Sequence, residues 1–376
     1  MDRIYTAIIL FFIISNPIYS QSFSLQDFKR FRQFDFHDKV QDTIKWQSVY
    51  RLENLEELFE SNLEIKNLYL NIGNLDSTNV NILEKIKGFD DLKNLKIVFN
   101  KIEEMPKVIF ELDSLEGLFI YSRSLKEIPD SIKKLRQLKY LTFGVVNNLE
   151  KISPELFLLN KLEELVFTGL KKGVKVPNLF GAMPHLKRLC FFSIPEELPS
   201  SIENLKSLEY LVFDTPYRGE FPKGIYDLPN LKYLYLDLQK QKDLIGISKL
   251  QSLEMLHLSG KPPIEEVFDL NNLKFLFLSS TYKRDLNLQG LRKLKKLEGL
   301  IIWSYHNLQS GLEIINGLSN LKFISINNCD KLVEIPNLNL PKLSYLQFFG
   351  NKELKKYPRV VNGIKATLKE DYNYNF

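Results

Sequence analysis

The stretch "NLKYLYLDL" at residues 230–238 decides the reading of this chain. From Leu234 to Leu238 apolar and other residues alternate, as on a half-buried β-strand whose neighbouring side chains face opposite ways. With the leucines turned in, Tyr233, Tyr235 and Asp237 turn out together. The strand belongs to a longer pattern, L-x-x-L-x-x-L-x-L, that returns along the chain. It reads "FDDLKNLKI" at 89–97, "LRQLKYLTF" at 135–143, "LKSLEYLVF" at 205–213, "LNNLKFLFL" at 270–278 and "LSNLKFISI" at 318–326. Thirteen copies occur, with a third apolar position at 68, 95, 118, 141, 165, 189, 211, 234, 256, 276, 300, 324 and 346.

A unit of this length cannot bury its own leucines. Stacked units bury each other's, which makes a solenoid with one core. The short x-L-x-L-x segments then form a parallel β-sheet, and the longer halves form an outer wall. Length alone would suggest two or three domains. The array overrides that prior, because no linker or composition shift interrupts residues 62–350.

These motifs resemble the leucine-rich repeat family. The second half of each unit resembles it too. An apolar residue precedes proline at Met105-Pro106, Ile128-Pro129, Leu198-Pro199, Phe221-Pro222 and Ile335-Pro336, and isoleucine often follows three later, as at Ile109, Ile132, Ile202 and Ile225. This is similar to the LxxLP subtype with 23-residue repeats. The copy "ISINNCDKLVEIP" at 324–336 is similar to the cysteine-bearing repeats of plant resistance receptors. The resemblance implies an α/β-type horseshoe of about 13 repeats, a parallel sheet on its concave face, and a protein partner held there. The chain departs from the family at the turn asparagine. Asn100 and Asn351 match and Cys329 is the accepted substitute, but Arg123, Leu170, Ile194, Pro216 and Lys261 stand elsewhere.

The termini read differently. "MDRIYTAIILFFIISNPIYSQS" places Arg3 before an apolar run from Ala7 to Ile14, a break at Asn16-Pro17, and small Ser20 before Gln21. This is the pattern of a secretory signal peptide over 1–20, which implies a secreted or cell-envelope protein. The run is shorter than the ~20 residues a membrane span needs. Residues 21–61 are the expected N-terminal cap, with Val49, Leu52, Leu55, Leu58 and Phe59 at helical spacing. Residues 351–376 are expected to hold a last partial repeat and the C-terminal cap. Cys190 and Cys329 fall six repeats apart, about 29 Å at the usual strand spacing, so no disulfide is expected to join them.

Nothing in the chain reads as catalytic. The four histidines lie far apart and none pairs with a cysteine or carboxylate at metal-ligand spacing. No phosphate-cradling or nucleophile motif occurs, so neither an enzyme, a metal nor a cofactor is expected. The net charge is +5, and basic residues alternate with glutamate rather than forming a stripe, which disfavours nucleic acid.

The remaining signal is the face opposite the leucines. Of its 39 positions, 14 are aromatic, three times the share in the whole chain at 12%. The expected contact residues are Tyr210, Tyr233, Tyr235, Asp237, His257, Phe275, Phe277, Trp303, Phe323, Tyr345 and Phe349. Exposed rings at this density mark an interface core. A glycan is the alternative ligand, stacking on the rings and bonding Asp214, Asp237, His257 and Asn327, and a structural envelope solenoid without a specific ligand is the third reading. Just before each strand a charge alternates without a miss: Lys93, Glu116, Lys139, Glu163, Lys187, Glu209, Lys232, Glu254, Lys274, Glu298, Lys322. Stacking would set each interior lysine between two glutamates.

Overall fold

The computed structural model describes residues 44, 49–51, 64–74, 83–192, 197–214, 221–238, 244–260, 264–280 and 286–366. The proposed signal peptide lies outside them, as does most of the proposed N-terminal cap. Backbone contacts divide the described chain into two compact units, Thr43–Gln241 and Lys242–Phe376.

In each unit the x-L-x-L-x segments are the strands of a parallel sheet. The first unit pairs Val49–Arg51, Asn67–Asn74, Asn94–Lys101, Gly117–Ser122, Tyr140–Gly144, Glu164–Phe167, Arg188–Phe191, Tyr210–Phe213 and Tyr233–Leu238 in chain order. The second pairs Met255–Gly260, Phe275–Ser279, Gly299–Trp303, Phe323–Asn327 and Tyr345–Gln347. The register sets the third apolar position of each copy against its neighbour's, as Leu118 against Leu141 and Leu276 against Leu300. Those leucines are 0–1% exposed throughout, which is what a shared core requires. A one-residue slip would turn every leucine to the other face.

The outer wall is built by the apolar-proline motif. Pro106, Pro129, Pro199 and Pro222 are extended residues just before the 3-10 turns Lys107–Glu111, Asp130–Lys134, Ser200–Asn204 and Lys223–Asp227. The isoleucine three residues on closes each turn, donating its N–H to the proline carbonyl at 3.1–3.2 Å. Ile109, Ile132, Ile202 and Ile225 are each fully buried by the same step. The helical wall segments from Lys107 to Gly317 are thus single 3-10 turns of three to six residues, because a short unit leaves no length for an α-helix. Between wall and sheet, Phe143, Phe167, Phe191 and Phe213 stack in sequence with ring centroids 5.5–5.8 Å apart.

One expectation about the ends is altered. Val49–Arg51 does not open a helix: it is a strand paired with Tyr69–Asn71. The β-branched and aromatic Val49-Tyr50 suit a pleated edge, and the pairing covers the backbone of the first counted repeat. At the other end, Lys356 bridges Glu334 in parallel, and Val360–Val361 folds against Ile364–Lys365 as an antiparallel hairpin.

The alternating charges sit where the strands begin. Lys139 donates to Glu116 at 2.8 Å, Lys187 to Glu163 at 2.8 Å, Lys232 to Glu209 at 2.9 Å and Lys322 to Glu298 at 2.9 Å. Each of these lysines thus bonds the glutamate of the copy before it, and for Lys139 and Lys187 the next glutamate acts at longer range. Lys139 is held above the usual lysine range by its hydrogen bond to Glu116 and that charge, with a smaller contribution from Glu163. We expect Lys139→Glu to destabilise the first unit by about 1 kcal/mol at low salt, and Lys139→Gln by about half as much. The difference should shrink as salt screens the charges. Equal losses for the two variants in urea titrations, or no salt dependence, would show that the alternation does no electrostatic work.

Candidate ligand-binding face

On the sheet face opposite the leucines, side chains form columns, because each strand pairs in register with the next. In the first unit one column runs Tyr140, Glu164, Arg188, Tyr210, Tyr233, and another Thr142, Val166, Cys190, Val212, Tyr235. In the second the columns are Met255, Phe275, Gly299, Phe323, Tyr345 and His257, Phe277, Ile301, Ser325, Gln347, with Ser259, Ser279, Trp303, Asn327 beside them. These are the columns that repeat counting predicts.

Their depth is not as predicted. Tyr233, Tyr235, Asp237, His257, Phe323 and Tyr345 are buried, Tyr233 to 1% exposure. Tyr210, Phe275, Phe277, Trp303 and Phe349 are half-buried. The reason lies in strand spacing. In-register strands about 4.8 Å apart bring flat rings into face contact, so each covers the next. Phe323 and Tyr345 stack at 4.5 Å with planes 2° apart, and His257 lies 3.9 Å from Phe277. Gly299 leaves its column open, and the Phe275 ring fills the gap: a Cβ there would come within 2.5 Å of that ring.

The polar members are turned toward the protein. The Tyr235 hydroxyl donates to Asp214. Burial, then the Asp214 charge and hydrogen bond, push the Tyr235 phenol well above the usual tyrosine range, so it stays a neutral donor. Burial pushes His257 down to about 3; it is therefore a neutral ring at physiological pH and offers no cation. Asn327 Nδ2 donates to Ser325 Oγ at 2.6 Å, Ser325 donates to Gln347 Oε1 at 2.9 Å, and Asn327 Oδ1 accepts from the Phe349 N–H at 2.8 Å. All four residues named for sugar hydroxyls, Asp214, Asp237, His257 and Asn327, are thus bonded within the protein or buried. Among the described residues no group of histidine, cysteine and carboxylates could hold a metal.

The turn following the twelfth copy carries the remaining motif. Asn351 Nδ2 donates to the Ile326 carbonyl at 2.7 Å while its Oδ1 accepts from the Cys329 N–H at 2.8 Å, tying one copy to the next. Cys329 is buried at the equivalent position, its thiol pushed up to about 12 by burial.

The leucine-rich repeat region family matches residues 174–356, the stretch in which these columns and turns repeat. The chain is a leucine-rich repeat protein. Its fold is that of a leucine-rich repeat protein of Leptospira interrogans, with a TM-score of 0.56 at 21% identity, covering 86% of this chain and 89% of that one. An internalin of Listeria monocytogenes, inlF, aligns with a TM-score of 0.50 at 18% identity over 75% of this chain and 92% of that one. Among curated proteins, the disease resistance-like protein DSC1 of Arabidopsis thaliana is 26% identical over 229 residues, 60% of this chain. The volume-regulated anion channel subunit LRRC8D of Rattus norvegicus is 30% identical over 212 residues, 54% of this chain. The leucine-rich repeat protein spans 15% and 23% of the length of these two relatives. No helix among its described residues is long and apolar enough to cross a membrane.

Proposed function

We propose that this leucine-rich repeat protein is an exported, non-catalytic module that captures a protein partner on the aromatic columns of its sheet. The observation that carries the reading is the group of half-buried rings Phe275, Phe277 and Trp303 on adjacent strands of the second unit, with Phe349 just beyond its last strand. Their backing is rigid. The Phe323–Tyr345 stack and the Ser325–Asn327–Gln347 network lie in the same columns. Rings already held by neighbours lose little freedom on binding, and half-exposed aromatic anchors with buried support are the residues that dominate interfaces. The buried members of the second unit's columns, His257, Phe323 and Tyr345, then act as support for its half-buried rings. A non-catalytic role agrees with a histidine kept neutral and buried at the head of one of the second unit's columns.

The test joins both parts of the reading. The native chain is purified and its first residue sequenced: Gln21 supports export, whereas Met1 in a cytosolic fraction removes it. The same chain, immobilised, is used to capture partners from culture supernatant beside a Phe277→Ser/Trp303→Ser variant. We expect one protein to be retained by the parent and lost from the variant, with capture run at a temperature at which both are folded. Retention by both, or by neither, would sink the contact face; retention that is cleared by free oligosaccharide would point to glycan instead.

A further inference from the structure

The three columns of the second unit hold fourteen residues on five strands, and none of them is an aspartate, glutamate, lysine or arginine. Charged residues make up 26% of the chain, so the columns stand apart from it. The fold does not impose this. In the first unit Glu164 and Arg188 pair in register on the same face, and Lys96 pairs with Tyr69 and with Phe119. The one imidazole of the second unit's columns, His257, is kept neutral by burial. Charge returns at the border. Glu254, Lys274, Glu298 and Lys322 stand just before the first four of these strands. They are paired among themselves, Lys274 with Glu254 and Lys322 with Glu298, each at 2.9 Å.

A partner charge pressed onto these columns would lose its water and gain no countercharge from them, which is costly. An uncharged segment meets no such penalty. Depletion of charge is also what sets the centre of a protein interface apart from the rest of the surface. Two half-buried groups indicate that the occupant carries hydrogen-bond acceptors. Trp303 has an indole N–H, which can only donate, and Ser259 has a hydroxyl. The backbone carbonyls of a peptide can accept from both, whereas an acyl chain offers them nothing.

We propose that the second unit's columns select an uncharged peptide segment of the partner. Its apolar or aromatic side chains lie against Phe275, Phe277 and Trp303, and segments that bring a charged side chain to the same place are rejected. The assignment rests on the contact face proposed above and adds the chemistry of what it touches.

The probe is a random peptide library displayed on phage and panned on the immobilised full chain. We expect the retained peptides to be depleted about threefold in Asp, Glu, Lys and Arg against the input, and to be lost from Phe277→Ser/Trp303→Ser. Ile301 is half-buried in the middle column, on the middle one of the five strands. Ile301→Lys places a charge there on a stem long enough to reach water. It should turn the selection toward peptides with Asp and Glu, and Ile301→Gln should not. One retained peptide is then synthesised and titrated into the parent chain, which keeps the test independent of whether Ile301→Lys folds. Glu or Lys in place of a contacting apolar residue should weaken it about tenfold more than Gln does. High salt should not weaken the original peptide, because its contact has no charge pair to screen.

Peptides lost from the ring variant but as charged as the input would overturn the inference and leave the contact face standing. Retention by the ring variant, or no retention at all, would remove the contact face and the inference with it. The inference is also overturned if Ile301→Lys folds and retains the same peptides as the parent, if Glu, Lys and Gln weaken the peptide alike, or if salt weakens it. Two further results overturn it by naming another occupant: phosphatidylcholine vesicles bound in place of peptides, or self-association of the chain that the ring variant loses.

Discussion

Replacing Tyr233 with alanine will cost the first unit about 3–5 kcal/mol of stability, the range found when a buried aromatic ring is truncated. Tyr233 is 1% exposed and stacks on Tyr210 with centroids 5.9 Å apart. Its strand lies within the sheet, so the vacated space cannot close without shifting the register of its neighbours. Phe277→Ala makes the internal comparison. That ring is half-buried and one face rests on His257 at 3.9 Å, so its loss should cost about half as much, since transfer energy scales with the area withdrawn from water. Urea titrations of the two variants decide the matter. A Tyr233→Ala loss no larger than that of Phe277→Ala would mean that Tyr233 is solvated, and that the whole column stands out from the sheet.

That comparison marks the boundary of what the sequence carries. Periodicity placed Leu118, Leu141, Leu276 and Leu300 in one register, and pairing in the structure follows it copy by copy. The proline and following isoleucine located the outer turns, because proline fixes the residue before the turn and the isoleucine N–H closes it. Both signals are local, so spacing alone reveals them. Depth on the opposite face is not local. Whether Tyr235 is exposed depends on Asp214, one repeat away, accepting from its hydroxyl. Whether Phe275 reaches across its column depends on Gly299 in the next copy lacking a side chain. Alternation says which way a residue points but not what its neighbours cover. Val49 was misread for the related reason that a short edge strand and one turn of amphipathic helix share their apolar positions. Arg123 stood in plain sight as a departure from the turn asparagine. Only the Ser122 hydroxyl, which donates to the Ile102 carbonyl and accepts from the Ser124 N–H, shows that the turn closes without it.

Arg188→Met should be as costly as the loss of Tyr233, through electrostatics rather than a void. Glu164 is 1% exposed, and its Oε2 lies 2.5 Å from Arg188 Nε on the adjacent strand. The guanidinium is stacked in turn over Tyr210, with Cζ 4.7 Å from the ring centroid. Both contacts follow from register, which sets Glu164, Arg188 and Tyr210 side by side. Removing the cation leaves a carboxylate inside the column without that countercharge, and breaking a buried pair in this way costs about 3–5 kcal/mol. Removing both partners, as in Glu164→Leu/Arg188→Met, should restore most of that loss, because two apolar side chains of similar volume bring no charge to desolvate. Arg188→Lys should fall between, keeping the charge but losing the planar contact with Tyr210. A double variant no more stable than Arg188→Met would show that Arg188 acts through its packed hydrocarbon stem and its ring contact alone.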